Sequence, residues 1–165
     1  MMVKNDGAAK ITLPSPTELV ITREFNAPPA LVFKAMHQPE YVRQWYGHRD
    51  LKMTVCDIDL RVGGSWRYVL QEPTGGEHAF SGEYQEIDAP GRVVCTERYE
   101  PIPGSDHLCT LTLTEHHGKT LFQNHIVYAS QMHRDGHLMS GMEPGMNASL
   151  NQLDALVTSL QSLAA

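Results

Sequence analysis

Residues 141–163, GMEPGMNASLNQLDALVTSLQSL, decide the fold. Met142, Met146, Leu150, Leu153, Val157 and Leu160 follow at intervals of four, four, three, four and three, which puts them on one stripe of an α-helix. Ala148, Ser149, Asn151, Gln152, Asp154 and Ser159 fill most of the remaining circumference. A proline fits the first turn of a helix and not its interior, so Pro144 sets the start near Glu143. Met132 to Met139 is then a separate helical piece, with Ser140-Gly141 as the break. Such a stripe is stable only when another surface covers it, and the preceding chain must supply that surface.

Most of that chain reads as antiparallel strand. Glu18 to Asn26 alternates, with Leu19, Ile21, Arg23 and Phe25 on one side. Asn26-Ala-Pro-Pro turns the chain, with Asn26 as a helix cap and Pro29 to Met36 as a short helix. His37-Gln-Pro interrupts it, and Glu40 to Trp45 forms a second short helix. Strand patterns then cover 52–60, 66–70, 79–87, 93–100, 108–115 and 120–128, separated by turns rich in Gly and Pro. Trp66, Tyr68 and Leu70 share a face, as do Phe80, Gly82 and Tyr84. The expected class is α+β: a curved antiparallel sheet of about six to seven strands wrapped around the long C-terminal helix, with two short helices after the first strand. Residues 1–16 read as a flexible lead-in and 17–165 as one domain.

Composition narrows the function classes. The net charge of −6 and the lack of a Lys/Arg cluster argue against a nucleic-acid partner. No apolar run reaches the roughly 18–20 residues that cross a bilayer, and the N-terminus lacks the apolar core of a signal peptide. Cys56, Cys95 and Cys109 are widely separated and form no CxxC pair, which suits reduced thiols in a cytoplasm.

Specific stretches carry a family resemblance. TREFNAPPALVFKAMHQPEYVRQWYG, DIDLRVGGSWRY, FSGEYQEIDAPGRVVCTE and YASQMHRDGHLMSGMEPGMNASLNQLDAL span about residues 18–160. Their linked set is Ala27-Pro28, Val32-Phe33, Pro39-Glu40, Trp45, Asp59-x-Arg61-x-Gly63-Gly64, Gly141-Met142 and Gly145. The chain resembles the START/Bet v 1-like (SRPBCC) superfamily, in the branch related to the C-terminal domain of the activator of the heat-shock-protein-90 ATPase. The resemblance implies a helix-grip fold with a ligand cavity between sheet and terminal helix. The family usually has a second Trp and a Pro around Trp45-Tyr46-Gly47-His48; Tyr46 and His48 here imply a more polar cavity mouth.

The expected lining is Trp45 and Tyr46 at one end, Trp66, Tyr68, Phe80 and Tyr84 from the sheet, and Met142, Met146 and Leu150 from the helix. Aromatic walls and adaptable methionines suit a small, mostly apolar ligand, although the same side chains can equally fill a core. No nucleophile motif is present, so no catalytic residue is assigned. His125 and His48 are the acid–base candidates, but alternation with Phe122 and Ile126 turns His125 outward. Arg67 falls opposite Trp66 and Tyr68, on the outer face, and Asp59 with Arg61 reads as a brace for the Gly-Gly turn. His133 and His137 have helical zinc spacing, yet no third ligand is placed, so neither metal nor cofactor is assigned.

Three functional readings follow. The first is binding of a small hydrophobic or aromatic molecule. The second, implied by the resemblance, is interaction with a chaperone as an ATPase activator. The third is a cyclase or dehydratase acting on a polyketide-like substrate, so whether the chain is an enzyme stays open. Open sheet edges leave both monomer and homodimer available.

Overall fold

Residues 9–47 and 50–164 are described by a computed structural model. The period-two segments build one antiparallel sheet, and the terminal helix lies across its concave face. In chain order the elements are β1 (Lys10–Thr12), β2 (Glu18–Phe25), α1 (Pro29–His37), α2 (Pro39–Trp45), β3 (Lys52–Ile58) and β4 (Ser65–Gln71). There follow β5 (Glu77–Asp88), β6 (Arg92–Tyr99), β7 (His107–His116), β8 (Lys119–Tyr128), α3 (Gln131–Met139) and α4 (Met142–Ala164). The sheet has eight strands in the order β1-β2-β8-β7-β6-β5-β4-β3. This is the helix-grip arrangement, with one strand more than the six to seven expected. The additional strand, β1, falls within the stretch read as lead-in and pairs Lys10 with Thr22 of β2. Three residues carry too little alternation to be read as a strand. No described helix is long and apolar enough to cross a membrane.

Burial varies along the α4 stripe. Leu153 and Val157 are fully buried against the sheet and the short helices. Burial of this kind contributes about 1.5–3 kcal/mol per side chain. Met142 and Met146 are only half-buried. The chain breaks between α3 and α4 where Ser140 ends α3 and Gly141 adopts φ 83°, a left-handed conformation that glycine enters without a Cβ penalty.

The polar side of α4 is a set of fastenings. Asn147 Oδ1 accepts from Ala9 N at 2.9 Å and Ser149 Oγ accepts from Gly47 N at 2.9 Å. Gln152 Nε2 donates to the carbonyls of Trp45 (3.1 Å) and Gly47 (2.7 Å). Arg23, buried on β2 as the alternation requires, donates to Asn151 and lies 3.7 Å from Asp154. Asn26 corrects its expected role. It does not cap α1, whose N-cap is Pro28; its backbone N (3.0 Å) and its side chain (3.1 Å) both donate to Asp154.

The Gly63-Gly64 turn behaves as read. Arg61 Nε donates to Asp59 Oδ2 at 2.8 Å, and Gly63 N and Tyr84 N join the turn to β5 through Tyr84 O and Gly64 O.

Candidate functional site

The concave sheet face and α4 enclose a cavity of about 400 Å³. Trp45, Tyr46, Trp66, Tyr68, Phe80, Tyr84, Met142, Met146 and Leu150 all line it. Strand register explains the sheet wall: Trp66 pairs with Gly82 and Tyr68 with Phe80, so the rings share one face. Trp66 and Tyr68 have centroids 4.8 Å apart, and Tyr46 meets Tyr68 edge-on, also at 4.8 Å. Trp45 is anchored by its indole N–H, which donates to Ala35 O at 2.9 Å. Burial pushes the phenols of Tyr46, Tyr68 and Tyr84 up, so each remains an uncharged O–H near neutral pH.

The wall also carries polar groups. The Trp66 indole N–H and the Asn124 side-chain oxygen are buried without a hydrogen-bond partner, and both residues line the cavity. Buried polar groups normally have a partner, so these two offer attachment points for an occupant. His37, at the end of α1, bonds Phe33 O through Nδ1 at 2.8 Å. Burial lowers its pKa, outweighing that backbone bond, and favours the neutral ring.

At the other end, Cys95, Glu97, Cys109 and His137 reach the wall, with His107 beneath them. Glu97 Oε1 lies 2.8 Å from His107 Nε2. Burial alone would raise the Glu97 pKa; the bond from His107 and the fields of His107 and His137 bring it below the usual carboxylate value. Tyr128 O–H bonds His137 Nδ1, and burial favours the neutral His137 ring despite Glu97 nearby. This end can pair with a ligand hydroxyl or carbonyl, and the aromatic end can hold an apolar body.

The remaining candidates fall elsewhere. His125 is on the outer face, bonded to Glu18 at 3.0 Å, and has no route to the cavity. His48 lies outside the described residues. Arg67 pairs with Glu100 on the surface. His133 donates its backbone N–H to Ser130, and only His137 of that helical pair faces the cavity. The residues missed by sequence reasoning are His37, Asn124, Cys95, Glu97, His107 and Cys109. Asn124 shares the parity of Phe122 and Ile126, and Cys95 and Glu97 share that of Val93. Continuing the alternation across 93–99 and 107–113 would have found the group. His37 gave no signal, because it stands at an interruption between two short helices.

Comparison with known proteins agrees with the overall fold. A solved structure from Rhodobacter sphaeroides superposes with a TM-score of 0.86 at 28% identity, covering 92% of this chain and 99% of that one. One from Mycobacterium smegmatis gives 0.78 at 27% identity, covering 89% and 96%. The AHSA1-like protein from Aeromonas hydrophila gives 0.68 at 18% identity over 83% and 93%, a likeness of fold alone. Comparison with curated proteins gives no significant match. The family described as Activator of Hsp90 ATPase homolog 1-like protein matches residues 26–158. With most of the chain inside that match and the helix-grip architecture around it, the protein belongs to the activator of Hsp90 ATPase homolog 1-like family.

Proposed function

We propose that the protein binds a small hydrophobic or aromatic molecule between the sheet and α4. The supporting observation is the cavity of about 400 Å³, walled by aromatic and methionine side chains, with buried unpaired polar atoms on Trp66 and Asn124. Pockets that take small molecules have this character, largely apolar with a few fixed polar groups. The ligand's apolar body packs against Trp66, Tyr68, Phe80, Met142 and Met146, and a hydroxyl or carbonyl meets Asn124 or His137. The three free cysteines agree with a cytoplasmic setting.

Native mass spectrometry of protein purified from its own cells tests the reading. A retained small molecule, lost from a Met146→Trp variant whose side chain fills the cavity, is the expected result. Absence of any adduct, together with no saturable binding of apolar aromatic probes, overturns it.

The family match favours a second reading, stimulation of a chaperone ATPase. It requires that the purified protein raise ATP turnover by a chaperone from the same cells, and an unchanged rate removes it.

A further inference from the structure

Strands β6 and β7 carry a two-by-two patch on the concave face. Cys95 stands opposite Cys109, and Glu97 opposite His107, in two rungs of one antiparallel ladder that are neighbours on the same face, with Thr96–Leu108 between them. Period-two alternation turns all four inward, in line with Val93 and Leu111, which are buried in the next rung of the same face. Donor atoms of Glu97, His107 and Cys109 lie within 4.8 Å of one another. Cys95, opposite Cys109 on the same rung and lining the same cavity wall, stands beside these three and can supply a fourth donor by side-chain rotation.

We propose that Cys95, Glu97, His107 and Cys109 bind a divalent metal ion of the zinc class at the wall of the cavity. Metal–ligand bonds of about 2.0–2.3 Å in a tetrahedral site put donor atoms roughly 3.3–3.7 Å apart, so closure of Glu97, His107 and Cys109 asks for side-chain movements on the order of 1 Å, and Cys95 turns in from farther off to complete the set. The donor types decide the class. Two sulfurs and an imidazole select zinc, cobalt or a similar borderline ion, and disfavour magnesium and calcium, which take oxygen ligands. His107 is held for the role: its Nδ1 lies 3.3 Å from Ser105 O, so Nε2 points toward Glu97 and Cys109. His137 stacks on the same ring, with centroids 5.6 Å apart. The donors sit on neighbouring strands of a paired ladder, which preorganises them without the folding cost of a loop site. This inference does not depend on the apolar-ligand reading, because the metal is titrated with no organic ligand present.

The test uses Co²⁺ as a spectroscopic probe of the purified, reduced, metal-stripped protein. One equivalent is expected to saturate, with visible ligand-field bands of a four-coordinate ion and a near-ultraviolet sulfur-to-cobalt charge-transfer band. Zn²⁺ should bleach both. Cys109→Ser should remove most of the charge-transfer intensity, and His107→Ala should weaken binding at least about tenfold. Cys56→Ser, on β3, should leave the spectrum unchanged. Should either site variant fail to fold, alkylation of the wild type settles the matter: Zn²⁺ should protect Cys95 and Cys109 but not Cys56. Absence of saturable Co²⁺ binding overturns the proposal, as does a spectrum retained in the Cys95→Ser/Cys109→Ser protein or unprotected thiols under Zn²⁺.

Discussion

Trp66 and Gly82 face each other across the β4–β5 ladder, and the indole of one occupies the space that a side chain on the other would need. A Cβ at position 82 would lie 2.6 Å from Trp66 Nε1 and 1.8 Å from the backbone oxygen of Thr96. The indole can rotate, but the Thr96 carbonyl belongs to β6 and moves only with that strand.

Gly82→Ala is therefore expected to cost about 3 kcal/mol or more, in the upper range for single substitutions. Urea denaturation reads this as a lower midpoint. Gly145→Ala gives the opposite sign. Its Cβ would meet nothing within 4 Å, and it lies inside α4, so a gain of roughly 0.5–1 kcal/mol is expected. A stabilising Gly82→Ala would contradict the packing described for the sheet wall.

The two halves of the α4 stripe should respond differently to truncation. Leu153→Ala removes a fully buried side chain and should cost about 2–5 kcal/mol. Met146→Ala removes a half-buried one and should cost under about 1.5 kcal/mol. Binding of an apolar fluorescent probe should reverse the order, weakening in Met146→Ala and persisting in Leu153→Ala wherever that variant is folded. Thermal melts with and without the probe separate the two effects.

Asp154→Ala should destabilise by about 3 kcal/mol, because it strips Asn26 of its acceptor and leaves Arg23 buried beside α4 with a weaker counter-charge. Burial already lowers the Arg23 pKa, with Asp154 opposing that shift. Asp154→Asn keeps one acceptor for Asn26 and should lose less. Equal losses in the two variants would show that the hydrogen bonds to Asn26 contribute nothing.

His37 sets a pH dependence. Its folded pKa lies below the ordinary value because burial disfavours the charged ring. As pH falls, the unfolded chain takes up this proton first. The contribution is thus fully present above about pH 6.5 and is lost progressively below it. Urea midpoints measured from pH 7.5 to 5 should fall, and His37→Gln should flatten that slope. An unchanged slope in the variant would show that His37 is protonated equally in both states.

Much of this was legible in the sequence because two periodicities carry it. The 3.6-residue stripe of 142–160 and the alternation of seven strand segments fix which faces meet, and both follow from side-chain direction alone. Asn26 was misassigned because capping is a local preference, and a helix more than a hundred residues away offered it a better acceptor in Asp154. The Cys95–Cys109 and Glu97–His107 rungs were hidden for another reason. Each pair is more than eight residues apart, and only the register of β6 on β7 brings its members together.

Among the described residues, the side-chain hydrogen bonds that fasten α4 begin at Asn147 and run to Asp154. Its first turn, Met142 to Met146, adjoins the Gly141 break and overhangs the cavity. Mechanically the helix is a cantilever, clamped along its middle by hydrogen bonds and held at the methionine end by apolar packing alone among the described residues. Bending that end exposes little of the core, because Leu153 lies within the clamp and Val157 beyond it. Adaptation to differently shaped occupants is thereby separated from the stability of the fold. Amide hydrogen exchange should record the division as rapid exchange ahead of Asn147 and protection from Leu150 onward, with an occupant slowing only the first group.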